Sequence, residues 1–294
     1  MRRLIINADD FGLTPGVNRA IVEGHTRGVI TSATLMANSS AFAEAVALAR
    51  ATPSLKIGVH TVLVDGDPVA PPEQVRSLLD PRKRTPALHV SFPAFVRGAV
   101  RGSFDPDEIE REATAQFWKI ERAGLQPTHF DTHKHAHMFP QILRPLLRAA
   151  RTCGIHAVRN PFAPAKPFAY ATLFRRPRLW TRYTEVKLLR FYANAFRRAV
   201  AEAGLVTTDG TLGIVATGAL DERLFGAYLG CLPEGTWEFV CHPGYNDAAL
   251  AAVRTRLRSS REAELQVLTS ARARAIIADR GIQLISYADL AAAH

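Results

Sequence analysis

The sequence predicts an α/β fold, a distorted (β/α) barrel of the TIM type, built as a single domain over residues 1–294. Short apolar runs alternate with segments of helical period, the order that builds parallel sheets from successive βα units. Acidic and histidine residues stand at the carboxyl ends of those runs, where barrels of this class place their chemistry. Between the units there is neither an internal repeat nor a low-complexity linker, so nothing divides the chain into separate domains.

The first unit is a strand over Leu4 to Ala8 followed by a helix from Gly16 to Thr26. The second pairs Val29 to Met36 with a helix over Phe42 to Ala51, and a third strand runs from Lys56 to Leu63. Thr128 to Thr132 reads as the next strand, with a helix over Ile142 to Cys153, and Ala157 to Arg159 as another. Trp237 to Cys241 precedes helical pattern from Ser259 to Asp279, and Gln283 to Tyr287 ends the series, giving about seven strands for a complete or distorted barrel. Two stretches depart from the alternation. Residues 65–104, rich in Pro, Gly and charge, read as an irregular excursion over the barrel mouth. Residues 161–203 mix aromatic and Arg residues with Pro161, Pro164, Pro167 and Pro177, which predicts a loop and then a helix from about Tyr183 to Ala203, with an interface or membrane-surface role left open.

A hydrophobic content of 47% over 294 residues is that of a folded globular chain with a large core. The formal charge of +10, from 37 Lys and Arg against 27 Asp and Glu, raises the prior for an anionic partner. Much of the excess is Arg distributed over segments such as Arg175-Arg176-Pro177-Arg178, Arg197-Arg198 and Arg254 to Arg261, without the pattern of a nucleic-acid module, so no nucleic-acid partner is expected. Cys153, Cys231 and Cys241 have neither CxxC spacing nor a disulfide framework, which reads as a reducing, cytoplasmic setting. No signal-peptide h-region follows Met1-Arg2-Arg3, and no apolar segment reaches the length of a membrane span. A homodimer is the base-rate expectation for assembly.

Asp9 and Asp10 are adjacent carboxylates at a strand end before Gly12. Like charges at contact distance resist joint ionisation unless a cation or proton compensates, so the pair asks for a metal. Five metal-compatible side chains fall between His129 and His137. Period-two alternation sends His129, Asp131 and His133 to one side of a strand, the barrel interior. His60 ends the strand Lys56-Ile57-Gly58-Val59 at the same rim. One Asp with two His is a facial set that leaves positions open for water and substrate. His242 ends Glu238-Phe239-Val240-Cys241 before Pro243-Gly244, and a rim histidine of ordinary pKa suits a general acid. Cys241 points away from it and reads as packing.

At these residues the sequence resembles the YdjC-like carbohydrate deacetylases, which include chitooligosaccharide and hopanoid-biosynthesis-associated deacetylases. The resemblance rests on Asn7 to Gly12, Gly28 to Ser32 with Leu35 to Asn38, Ile57 to His60, Thr128 to Pro140, Cys241 to Gly244, and Ser260-Arg261-Glu262 with Glu264. It implies a distorted (β/α) barrel, a divalent ion such as Mg²⁺ or Zn²⁺, and removal of acetyl from an N-acetylated sugar. It further implies Asp10, His60 and His133 as metal ligands, Asp9 as general base and His242 as general acid. By their positions Asp131, His135, His137 and Arg159 read as substrate contacts or supports behind the ligands, Arg159 at the end of Ala157-Val158-Arg159 being either a polar substrate contact or an ordinary surface ion pair. There are two departures from the family pattern: Lys134 stands in place of a histidine while His133 is retained, and Thr61 to Pro68 replaces the usual continuation after His60, which bears on substrate identity. The rivals are a metal-dependent phosphoesterase on an anionic substrate, a barrel isomerase or aldolase, and a non-enzymatic metal- or sugar-binding protein.

Overall fold

Nine parallel strands organise the computed structural model, which describes residues 1–292. They are β1 (Arg2–Phe11), β2 (Ser32–Leu35), β3 (Lys56–Thr61), β4 (Phe130–Thr132), β5 (Ala157–Val158), β6 (Val206–Thr207), β7 (Gly210–Leu212), β8 (Gly235–Cys241) and β9 (Gln283–Leu284). The spatial order is β6-β5-β4-β3-β2-β1-β8-β7, with β9 added to the start of β1. Leu4, Ile5, Ile6 and Ala8 are fully buried, as expected for a parallel strand covered on both faces. The predicted (β/α) barrel is therefore the observed fold.

Closure of the barrel is not a ladder. Between β6 and β7 no strand pairing is present among the described residues. The chain just after β5 bridges the seam instead: the Thr211 amide donates to Phe162 O at 3.0 Å, Thr211 Oγ1 to Asn160 O at 2.6 Å, and Asn160 Nδ2 to Thr208 O at 2.9 Å.

Register decides what meets at the rim. His60 lies opposite Asp131 in the β3–β4 ladder, and Ala8 lies opposite Cys241 in the β1–β8 ladder. The next residues of that second pair, Asp9 and His242, thus leave the sheet at one level. Cys241 is buried, with Sγ 3.3 Å from Asn7 O, in keeping with a packing role.

Helices cover the barrel from outside. The helix Pro15–Thr26 starts with Pro at its first turn and Thr14 Oγ1 accepting from the Val17 amide at 3.2 Å, a cap that fixes the exit of the chain from β1. Several elements differ from expectation. Strands β6 and β7 were unforeseen because Val206-Thr207 and Gly210-Thr211-Leu212 hold no run of apolar residues. The helices Pro106–Arg122 and Glu222–Gly230 were also unforeseen, although Asp105 and Asp221 cap them from sequence positions that favour it. The stretch 65–104 holds 3₁₀ turns and a helix, Phe92–Arg101, whose Phe95 stacks on Phe104 with centroids 4.8 Å apart. The helix expected from Tyr183 to Ala203 is two, Trp180–Leu189 and Ala193–Glu202, joined by a 3₁₀ turn over Arg190–Tyr192. Ser259 to Asp279 likewise divides at Ser270, which caps the second part.

Gly58 of β3 faces the His129 ring inside the barrel, and a Cβ there would lie 2.5 Å from Nδ1. His129 cannot yield, since it stacks on Tyr287 at 3.7 Å between centroids and bonds Asn7 Oδ1 at 3.2 Å. Gly58→Ala should therefore cost about 1–3 kcal/mol by overpacking, read from urea denaturation midpoints.

Candidate metal centre and active site

In an extended strand Asp9 and Asp10 would point to opposite faces. They share one chamber because Asp10 adopts φ +67°, a left-handed conformation that Asp tolerates better than most residues. The turn continues with Leu13 N donating to Asp10 O at 3.0 Å and Gly12 at φ +93°. The other non-glycine residues with positive φ among the described residues are Asp65, Lys134 and His135. Lys134 Nζ bonds Asp65 Oδ2 at 2.8 Å, so the two departures from the family pattern hold each other at the rim. Strained backbone concentrated this way is a mark of a functional site.

Three donor atoms converge. Asp10 Oδ1 is 3.5 Å from His60 Nε2 and 3.5 Å from His133 Nδ1, and the two nitrogens are 3.3 Å apart. Those edges match donors spaced tetrahedrally at about 2.1 Å from one cation. Asp10 Oδ1 is buried and has no hydrogen-bond partner among the described residues, whereas Oδ2 is held by Arg261 Nη2 at 2.5 Å. A buried carboxylate oxygen left free and aimed between two imidazoles fits a divalent ion. Burial opposes the charge on Asp10, and Arg261 with His133 more than offsets it, so its carboxyl lies well below the usual range. A second grouping, Asp9, His60 and Asp131, also comes within ligand spacing. Arg159 already occupies both of its carboxylates, which makes the first set the better one.

His60 is oriented from behind: Asp131 Oδ1 lies 2.6 Å from Nδ1, leaving Nε2 for the chamber. Against the cost of burial, Asp131, Asp9 and Asp10 push the His60 pKa up to about 9, so a cation arriving at Nε2 displaces a proton.

Arg159 was expected to touch substrate, and its position corrects that. It is wholly buried and grips Asp9 with two bonds, Nη2 to Oδ1 at 2.6 Å and Nη1 to Oδ2 at 2.8 Å. It also pairs with Asp131, and donates from Nε to Glu238 Oε1 at 2.8 Å. Burial opposes its charge, but the three carboxylates raise its pKa well above the usual value. His137 is equally remote from solvent, with Nδ1 2.6 Å from Thr132 Oγ1 and Nε2 3.1 Å from Arg159 O. It supports the loop and cannot reach a substrate. His135 is not among the convergent donors, and its buried Nδ1 has no partner among the described residues. The strand β4 stops at Thr132, so His133 lies on the first turn beyond it and not within the strand.

His242 sits across from the ligands with Nε2 3.7 Å from Asp9 Oδ2. Its amide donates to Glu264 Oε2 at 2.6 Å, and Glu264, pushed up to about 7 mainly by burial, also accepts from Gly218 N. Burial holds the His242 pKa down to about 4 despite Asp9 and Asp10, so the ring rests neutral. Arg261 and Glu264 had no role assigned from sequence beyond the resemblance. Glu238 and Tyr287, whose hydroxyl donates to Glu238 Oε2 at 2.6 Å, had none at all. A lone acid inside the apolar run Trp237-Glu238-Phe239-Val240 was the available signal for Glu238. A groove of about 810 Å³ between Val69–Pro71 and the helix Pro106–Arg122 shares no residue with this site.

The buried histidines set an acid limit. His129 and His137 both lie well below the usual value, His129 through burial and Arg159, His137 through burial, His135 and Arg159. Depressed histidine pKa values mean that the unfolded chain binds more protons, so stability is full above the unfolded value and is lost as pH falls. In chelator-treated protein the melting temperature should decline as pH drops below about 6.5. A flat profile from pH 7 to pH 5 by scanning calorimetry would contradict this.

The family model described as YdjC-like protein matches residues 3–279. A protein of Brevibacillus brevis named carbohydrate deacetylase is 35% identical over 98% of this chain and 99% of its own. One of the same name from Geobacillus stearothermophilus is 33% identical over 97% of each. A crystal structure of a candidate cellobiose-phosphate cleavage protein from Enterococcus faecalis superposes with a TM-score of 0.79, at 29% identity over 99% of both chains.

Proposed function

Because the chain belongs to the YdjC-like protein family, we propose that it is a carbohydrate deacetylase that hydrolyses the acetamide of an N-acetylated sugar with the help of a divalent ion. The observation that carries the metal is the buried, unpartnered Asp10 Oδ1 facing His60 Nε2 and His133 Nδ1. With one carboxylate and two imidazoles, the donor set favours Zn²⁺ or a similar transition ion over Mg²⁺. A bound ion would polarise the acetamide carbonyl and make water more acidic.

The chain's own groups then move one proton. Asp9, fixed by Arg159, accepts it from the attacking water at Oδ2, the oxygen facing His242. A carboxylate so strongly paired holds a proton poorly, and the burial that penalises its charge is outweighed by Arg159. The proton passes on to Nε2 of His242, which rests neutral and is 3.7 Å away. From there it goes to the departing nitrogen as the C–N bond breaks, leaving acetate and a free amino sugar. Glu264 holds the His242 backbone in place for both steps.

Acetate release from N-acetylglucosamine and its short oligomers, measured after chelation and after return of Zn²⁺, Co²⁺ or Mg²⁺, tests this reading. Release restored by the ion is expected. Phosphoester cleavage without acetate release from any acetylated sugar would reject it.

A further inference from the structure

We propose that the segment 161–200 is a peripheral docking surface for bilayers carrying anionic headgroups. It holds nine Lys or Arg residues against one acid, Glu185, a net +8 out of the +10 of the whole chain. Among the described residues, Arg176 to Asp221 is the one salt bridge that any of the nine makes. Arg182 and Arg190 donate to the carbonyls of Thr217 and Ala163, which ties the segment down without neutralising it.

The same segment carries most of the exposed large apolar side chains. Phe174 is 74% exposed, Leu188 73% and Phe191 86%, with Tyr170 and Trp180 partly exposed beside them. Lys187 and Arg190 flank Leu188 and Phe191 in sequence, and Arg175 follows Phe174. Exposed aliphatic and aromatic groups interleaved with cations suit the headgroup boundary, where the rings enter the acyl edge and the cations meet phosphate. A second copy of the chain fits poorly, since it would set +8 against +8. Single-stranded nucleic acid fits less well, since Leu188, among the most exposed of these groups, offers no ring face on which a base could stack.

The surface adjoins the mouth of the site. The segment leaves the rim two residues after Arg159, and its turn residue Tyr192 packs edge to face on Phe139, 6.2 Å between centroids. Phe139 directly follows the turn that carries His133. Docking therefore holds the chamber close to the headgroup layer, whichever reaction the chamber performs.

Cosedimentation of the full chain with vesicles tests the proposal. Vesicles of phosphatidylcholine and phosphatidylglycerol in equal parts should bind it at low salt, and binding should weaken roughly tenfold or more on phosphatidylcholine alone or in high salt. The paired substitutions Leu188→Ser with Phe191→Ser, and separately Arg175→Glu with Arg178→Glu, should each weaken binding by a similar factor. Both should leave near-UV circular dichroism and turnover of a soluble substrate unchanged. No vesicle binding, equal binding to neutral and anionic vesicles, or binding indifferent to both pairs would overturn it. So would binding of a single-stranded oligonucleotide, or dimerisation, that is lost with these substitutions while vesicles go unbound.

Discussion

His133→Ala should strip the divalent ion from the protein and lower kcat/KM by roughly 10³-fold or more, the several kcal/mol that a Lewis acid contributes to the transition state. Removing Nδ1 leaves Asp10 Oδ1 and His60 Nε2 as two donors of a set that needs three. Asp9→Asn should behave differently. It keeps the shape of the side chain, leaves the three donors untouched, and so should retain the ion while losing about 10²- to 10⁴-fold in kcat as the proton acceptor disappears. Metal content by plasma emission and steady-state kinetics on the same preparations separate the two. If Asp9→Asn lost the ion while Asp10→Asn kept it, the roles within the pair would be reversed.

Arg159→Met should destabilise the fold by about 3–5 kcal/mol, because Asp9, Asp131 and Glu238 would remain buried without their shared cation. Arg159→Lys should recover little of this, since an ammonium cannot reproduce two parallel bonds to Asp9 together with a bond to Glu238. The deficit has a direction in pH. Stranded carboxyls have raised pKa values, so the variant should approach wild type at pH 5, where they can be neutral, and fall furthest behind at pH 8. Urea midpoints across that range measure it, and a small deficit independent of pH would mean that Arg159 is not the counter-ion of the cluster.

The barrel could be read from the sequence because its longer strands are mainly apolar runs with polar residues at or just after their ends, as in β1, β3 and β8. The short strands β6 and β7 could not, because their closure depends on Asn160 and Phe162, distant partners that leave no local period. The metal-binding candidates were legible as residue types at strand ends. The supports were less so: Arg159 looks in sequence like any arginine after a strand, and only the fold reveals three carboxylates around it. Arg261 reaches Asp10 across 251 positions, a distance no local pattern encodes. The expectation that Arg159 meets substrate failed because an exposed and a fully buried arginine read alike in one dimension.

The seam between β6 and β7 gives the barrel a preferred place to breathe. Along the centre of the sheet strands pair in ladders on both sides, but the Thr211 amide donates to Phe162 O, a carbonyl of an irregular segment. Native-state hydrogen exchange should therefore find Thr211 exchanging well before Ile5 of β1, which lies between strands on both sides. Arg159 stands one residue ahead of this seam, so the fluctuations that loosen the barrel begin next to the guanidinium that holds Asp9.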